Sequence, residues 1–172
     1  MTIVINGTTG ISGIDGSAGT PAVQGTDTNT GIYYSAADTV DVATGGVQRG
    51  QFDSSGNFKF NSGYGSVATA YGCRAWVNFN GTGTVAIRAS GNVTSITDNG
   101  LGDYTVNFTN AMSDANYSVV SIGTSDAINY TANVQIKNSS ALATGSVQIQ
   151  CYEYNNVAVK RDPVHVLLSI FR

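Results

Sequence analysis

The stretch Val164-His165-Val166-Leu167-Leu168-Ser169-Ile170 places an apolar residue at every second position, and Val147-Gln148-Ile149-Gln150-Cys151 does the same. Alternation with period two puts every second side chain on one face, which is the pattern of a strand with one buried side. Turn-forming residues separate such runs at intervals of about 8–12 positions, and the chain contains 21 glycines. The sequence therefore predicts an all-β protein built from antiparallel strands.

The large apolar residues are concentrated in the C-terminal part of the chain. From about residue 67 the apolar runs lengthen, and Asn80-Gly81 separates two of them as a hairpin turn does. The triplet Asp98-Asn99-Gly100 indicates a further turn, and the run 117–122 indicates a central strand. Eight strands are predicted, at residues 75–79, 85–89, 93–96, 104–108, 117–122, 133–137, 146–154 and 164–171. Eight strands without a helix predict an antiparallel, jelly-roll-like β-sandwich head over residues 66–172.

Residues 1–65 follow a different pattern, with many Gly, Thr, Asp and Ser residues and few large apolar ones. Turn clusters such as Asp53-Ser54-Ser55-Gly56-Asn57 cut this part into short runs. Strands this short bury little apolar area, and isolated hairpins are only marginally stable in water. We therefore expect residues 1–65 to form an extended, short-stranded segment that neighbouring copies of the chain stabilise.

The low charge of the chain also favours self-association. Charged residues make up 11% of the sequence, against about 25% in an average soluble domain. A surface of uncharged Thr, Ser and Asn suits a chain that contacts copies of itself. Short strands with open edges favour a threefold assembly, in which each chain covers the next and growth stops at three. The sequence therefore predicts a homotrimer.

Charge and hydropathy argue against several classes of function. The net charge is −3 and no basic patch is visible, so nucleic acid is not an expected partner. No apolar run approaches the length of a membrane span, and the N-terminus lacks the features of a signal peptide, so neither membrane insertion nor export is expected. In a reducing cytoplasm Cys73 and Cys151 are expected to be free thiols, with Cys151 on the apolar face of its strand.

The titratable residues predict no enzyme. His165 is the only histidine, and it falls on the face of its strand opposite the apolar residues, as a surface side chain does. Ten aspartates and Glu153 supply the acidic groups, and nearly all the aspartates stand beside turn-forming residues. The loop 98–103 offers oxygen ligands for Ca²⁺, but a plain Asp-Asn-Gly turn accounts for it. No catalytic residue, cofactor site or metal site is predicted.

Aromatic residues are the remaining candidates for a binding site. Tyr152 and Tyr154 share a strand face with Gln148 and Gln150, opposite the predicted core face. Exposed tyrosines can stack on sugar rings, and they can equally fill a contact between subunits. Both interpretations stay open for Tyr152 and Tyr154, which are the candidate receptor-binding residues. Trp76 is predicted to lie in the core or at an interface.

Three stretches share a common pattern of short apolar runs between Gly, Thr and Asn residues. They are Thr2-Ile3-Val4-Ile5-Asn6-Gly7-Thr8-Thr9-Gly10-Ile11, then Gly25-Thr26-Asp27-Thr28-Asn29-Thr30-Gly31-Ile32, and Arg74-Ala75-Trp76-Val77-Asn78-Phe79-Asn80-Gly81-Thr82-Gly83. Together they resemble fibre-like virion structural proteins of tailed bacteriophages. The resemblance implies a trimeric β-rich neck followed by a C-terminal β-domain. It also implies that the N-terminus docks on the particle, with Ile3, Ile5 and Ile11 as candidate anchoring residues.

The expected function is therefore structural, in a virion assembled in the host cytoplasm. A short trimeric tail fibre or fibre adaptor would project the head for adhesion, with a host surface glycan as the candidate receptor. The expected partners are copies of the chain and other virion proteins, which the N-terminal segment contacts. The alternative is a capsid-surface head fibre or a cement protein that stabilises the capsid. A lectin-like β-domain is a third interpretation, which the missing signal peptide disfavours.

Overall fold

The structure is a computed structural model that describes residues 4–6, 10–124, 131–137, 142–155 and 157–172. In these residues every regular element is a β-strand, and all strand pairs are antiparallel. The prediction of an all-β, antiparallel protein is therefore confirmed. The described residues contain no helix that could cross a membrane. The chain divides into two compact units, Met1–Ala70 and Tyr71–Arg172.

The first unit contains a hairpin and a six-stranded sheet whose neighbours follow chain order. The hairpin pairs β1 (Val4–Asn6) with β2 (Gly10–Ser12). The sheet consists of β3 (Val23–Gln24), β4 (Gly31–Tyr33), β5 (Val40–Thr44), β6 (Val47–Phe52), β7 (Phe58–Phe60) and β8 (Ala68–Thr69). Gly45 and Gly46 join β5 to β6 with φ angles of 60° and 75°, because a two-residue hairpin turn of this kind needs left-handed backbone at both positions.

The second unit contains nine strands in two sheets. They are β9 (Cys73–Asn80), β10 (Ala86–Gly91), β11 (Val93–Gly100), β12 (Asp103–Phe108), β13 (Ser118–Thr124), β14 (Thr131–Ile136), β15 (Ser146–Asn155), β16 (Val157–Lys160) and β17 (His165–Phe171). One sheet has the order β10-β9-β17-β13. The other has the order β11-β12-β15-β14, with β16 paired to β15.

The apolar faces of these two sheets share one hydrophobic core. The predicted alternation is confirmed on β15, where Val147, Ile149 and Cys151 are buried, and on β17, whose buried side chains are Val166, Leu168 and Ile170. Across the core, the rings of Phe79 and Tyr104 meet edge to face with centroids 5.2 Å apart, a favourable geometry for aromatic pairs. The arrangement is sandwich-like, with each sheet contributing one face to a shared interior.

Three details of the predicted strands are wrong. The run 117–122 is not a central strand, because β13 lies at the edge of its sheet. Asp98-Asn99-Gly100 is not the turn, because β11 continues to Gly100 and the turn follows at Leu101 and Gly102. The strand β16 was not among the eight predicted ones. Its residues Val157 and Val159 are exposed, so it lacks the buried alternating face from which the other strands were predicted.

A hydrogen-bonded cluster around Tyr104 joins three loops of the second unit. The buried Tyr104 hydroxyl donates to Asp162 Oδ1 at 2.6 Å, and the backbone N–H of Gly102 donates to the same oxygen at 2.7 Å. The N–H of Gly81 donates to the carbonyl of Pro163 at 2.9 Å. Burial, and then the Asp162 carboxylate, raise the pKa of Tyr104 far above its usual value. The hydroxyl therefore stays protonated and serves as a permanent donor in this cluster.

Replacing Tyr104 by Phe is expected to lower the free energy of unfolding of the second unit by about 2 kcal/mol. The change removes one hydrogen bond to a charged group and leaves the packing nearly unaltered. The measurement is the urea midpoint followed by the near-ultraviolet signal. Tyr71→Phe is the matched control, since Tyr71 is exposed. Equal midpoints for the two variants would contradict a stabilising role of the cluster.

Candidate functional site

The six-stranded sheet of the first unit carries large apolar side chains on one face, and this face is exposed. Cross-strand pairing places Val40 opposite Phe52 and Phe52 opposite Phe58. Ile32 likewise stands opposite Val42. The apolar face consists of Val23, Ile32, Val40, Val42, Val47, Phe52, Phe58 and Phe60. Between 39% and 56% of each of these residues remains accessible.

The opposite face of the same sheet carries a buried carboxylate among buried and half-buried side chains. Asp41 is fully buried, and its neighbours across the ladder are Tyr33 and Gln51. Ser35 donates to Asp41 Oδ2 from its N–H at 3.0 Å and from its hydroxyl at 2.6 Å. Gln51 Nε2 donates to Oδ1 at 2.8 Å, and Gln48 Nε2 donates to the same oxygen. A carboxylate held by neutral donors therefore occupies the position where most sheets bury apolar side chains.

These hydrogen bonds determine the charge state of Asp41. Burial alone would raise the pKa of its carboxyl group, but the donors from Ser35, Gln48 and Gln51 outweigh burial and lower it. Tyr33 experiences the opposite effect, because burial and the nearby Asp41 charge raise the pKa of its hydroxyl. Asp41 is therefore ionised at neutral pH. The side of the sheet that contains Asp41 therefore carries a buried negative charge, and the exposed large apolar side chains of this sheet lie on the opposite side.

The exposed apolar area of this sheet is large for a single chain. An aromatic side chain carries about 200 Å² of surface, so the three half-exposed phenylalanines leave about 300 Å² uncovered. The five aliphatic residues bring the face to the order of 600 Å², the upper limit for patches on ordinary monomers. In the described part of the first unit, Tyr33 and Ala43 are the buried hydrophobic residues. These described residues form no enclosed apolar core comparable to that of the second unit.

The four-stranded sheet of the second unit has a second apolar surface on its outer side. Val120 and Ile122 on the edge strand β13 are 60% and 61% exposed, and Trp76 on β9 is 43% exposed. Leu167 on β17 stands opposite Ile122 and is half-buried. We call Val120, Ile122, Leu167 and Trp76 the Trp76 face. Beside it Gly91 lies opposite Trp76, where an added Cβ would collide with the indole ring.

The outer side of the five-stranded sheet is polar by contrast. Asn107 Nδ2 donates to the hydroxyls of Ser95 and Thr97 at 3.1 and 3.0 Å. The Tyr152 hydroxyl donates to Gln150 Oε1 at 2.8 Å. Tyr152 is half-buried rather than fully exposed. This surface offers amide and hydroxyl groups, whereas the Trp76 face offers aliphatic carbon and an indole ring.

The carboxylate of Asp103 lies on this polar side and is neutralised by two lysines. Lys137 Nζ and Lys160 Nζ lie 3.0 and 3.2 Å from Asp103 Oδ2. Burial alone would raise the pKa of Asp103, but hydrogen bonds from Lys137, Gln150 and Lys160 lower it. The ammonium groups occupy the oxygens that a cation in the loop 98–103 would need. The described residues contain no cluster of three or more His, Cys, Asp or Glu side chains suited to a metal ion.

The residues predicted to anchor and to bind a receptor are only partly described. Ile5 and Ile11 pair directly across the β1–β2 hairpin, while Ile3 lies outside the described residues. The strand β15 includes Tyr154, whose side chain also lies outside the described part.

The histidine and the two cysteines of the chain all lie in the second unit. His165 Nδ1 lies 3.2 Å from the Thr124 hydroxyl on the neighbouring strand. Both cysteines are free, as predicted. Burial raises the pKa of the Cys151 thiol to about 12, so this thiol is unreactive at neutral pH. Cys73 lines a shallow polar cleft of about 580 Å³ with Arg74, Asn92, Thr109 and Asn110, where the Asn92 amide already donates to two backbone carbonyls.

Comparison of the chain with known protein families, with curated proteins and with solved structures gives no match. The candidate functional sites are therefore the two apolar faces and the polar surface of the second unit. The sequence does not predict either apolar face as a site, although it predicts Trp76 in the core or at an interface, and the exposure of Trp76 excludes the core. The signal was present in the alternation Val40-Asp41-Val42-Ala43, but alternation defines two faces without indicating which one is covered.

Proposed function

We propose that this protein is a non-enzymatic structural component of a bacteriophage virion, acting as a short homotrimeric tail fibre or fibre adaptor. Residues 1–65 would attach to other virion proteins and hold three chains together. Residues 66–172 would form the projecting, jelly-roll-like head. Its action would be geometric, because three tethered heads multiply weak contacts with a host surface through effective concentration.

The observation that supports this proposal is the apolar face of the first unit. A sheet that buries Asp41 and exposes Val42, Phe52 and Phe58 gains little hydrophobic stabilisation as a single chain. Association with copies of itself would cover this face and supply the missing apolar burial. A closed threefold assembly does so without open-ended growth, because each chain covers the next.

The polar outer side of the five-stranded sheet is the part of the head that we propose for contact with a host glycan. Amides and hydroxyls such as those of Asn107, Thr97 and Gln150 are the groups that bind sugar hydroxyls. Tyr152 lies beside Gln150 on this side and would provide the aromatic surface. Tyr154 remains a candidate by its position on β15. Ile3, Ile5 and Ile11 remain the candidates for anchoring.

The test is the solution mass of the full-length chain, followed by its copy number in purified particles that carry it. We expect a light-scattering mass of three chains, and a copy number of a few units in multiples of three or six per particle. A copy number of hundreds would instead indicate the alternative, a capsid-surface head fibre or cement protein. A monomer at all accessible concentrations would refute the proposal.

A further inference from the structure

We propose that the Trp76 face is a second contact between copies of this chain, so that the heads of the proposed trimer pack against one another. The inference rests on the proposed function and adds a contact outside the first unit. Two features of the four-stranded sheet support it: exposed apolar side chains and an edge strand at the end of its described strand order.

The exposed side chains form one continuous surface. Strand pairing places Ile122 opposite Leu167, and Leu167 opposite Asn78. The next row places Val120 opposite Ser169, and Ser169 opposite Trp76. Val120, Ile122 and Trp76 together leave on the order of 300 Å² of apolar surface uncovered. Val120 and Ile122 are aliphatic and cannot form side-chain hydrogen bonds, so hydrogen bonding does not explain why they are more than half exposed.

The edge strand β13 borders the same surface. It pairs with β17 on one side and ends the described strand order of its sheet. Exposed edge strands that carry aliphatic side chains are templates for further pairing, and natural proteins cover or charge them. The described residues of β13, from Ser118 to Thr124, carry no charged side chain.

The size of the Trp76 face favours a second copy of the chain over a protein from solution. A contact of a few hundred Å² is well below the roughly 1,200 Å² that stable complexes bury in total, so it would be weak between free molecules. In an assembly held by the first unit, however, each second unit is joined by the backbone to its own first unit, so the three second units are held close to one another. Tethering by short connections gives effective concentrations in the millimolar range, at which a weak contact forms.

Trp76 itself reports on this contact, since it is the only tryptophan of the chain. The experiment measures acrylamide quenching of Trp76 fluorescence in the full-length protein. One sample is the unaltered chain, and the other carries Phe52→Ser together with Phe58→Ser, two changes that disrupt the apolar face. In the unaltered trimer we expect several-fold weaker quenching and a blue-shifted emission compared with the monomeric variant.

A second variant, Val120→Lys with Ile122→Lys, is expected to keep the trimer mass while Trp76 becomes accessible. Asn133→Lys is the matched control on an exposed position of the other sheet, and it should leave quenching unchanged.

The outcomes separate the two proposals. A trimer in which Trp76 is quenched as readily as in the monomer would overturn the head contact and leave the proposed function standing. A monomeric unaltered chain would overturn both proposals. If the phenylalanine variant stays trimeric, the lysine variant decides: increased quenching relative to Asn133→Lys supports the contact, and unchanged quenching overturns it.

Discussion

A chain carrying Phe52→Ser together with Phe58→Ser is expected to be monomeric at concentrations where the unaltered chain is a trimer. The two rings lie 5.4 Å apart on the apolar face and are 56% and 47% exposed. Covering them removes about 100 Å² each from water, which corresponds to about 2.5 kcal/mol per ring. The double change therefore costs about 5 kcal/mol per chain, or more than a thousandfold in a dissociation constant.

Light scattering coupled to size-exclusion chromatography measures this result directly. Tyr64→Ser is the matched control, because Tyr64 is a highly exposed aromatic residue of the same unit that lies outside the apolar face. Far-ultraviolet circular dichroism checks that the second unit remains folded in each variant. A trimer that survives the double change would show that the apolar face is not the contact, whatever else holds the chains together.

The second unit could largely be predicted from the sequence, because its core strands are long and strictly alternating. Val166, Leu168 and Ile170 point inward as their spacing predicts. The order of strands could not be predicted, since pairing between distant strands depends on tertiary packing rather than on local pattern. The strand at residues 118–124 illustrates this: its apolar content indicated a central position, yet its outward residues Val120 and Ile122 are exposed at the sheet edge.

The first unit could not be predicted in the same way, because its short strands do not show which face is covered. In β5, valines alternate with Asp41 and Ala43, and the usual expectation buries the valines. The structure buries Asp41 instead, because Ser35, Gln48 and Gln51 supply its donors from other parts of the chain.

The sequence also does not distinguish a buried aspartate from one that only forms a turn, because nearly all aspartates of this chain stand beside turn-forming residues. Asp53 accepts from the N–H groups of Ser55 and Asn57 as a turn aspartate does, while Asp41 looks similar in sequence and organises the covered face.

Replacing Asp41 by Ala is expected to destabilise the first unit by about 3 kcal/mol, because the change removes several hydrogen bonds to a fully buried carboxylate. The donors of Ser35, Gln48 and Gln51 all bond to this one carboxylate. Hydrogen exchange measures the effect most directly, since the Ser35 amide loses its acceptor and should exchange far faster. Asp15→Ala is the control, because Asp15 is exposed and surface changes usually stay within about 0.5 kcal/mol. Equal protection of the Ser35 amide in both variants would contradict the role of Asp41.

The pH dependence of the Asp41 effect tests the charge of the carboxylate. Its pKa in the folded chain is lowered by the surrounding donors, despite the opposing effect of burial. A carboxyl group with a lowered folded pKa contributes stability that is fully present above its unfolded pKa of about 3.9. That contribution is lost as the pH falls through the folded pKa. The difference in unfolding free energy between the unaltered chain and Asp41→Ala should therefore be constant from about pH 5 upward. It should shrink in stronger acid, whereas a difference that grows in acid would mean that Asp41 is held as the neutral acid and donates a hydrogen bond itself.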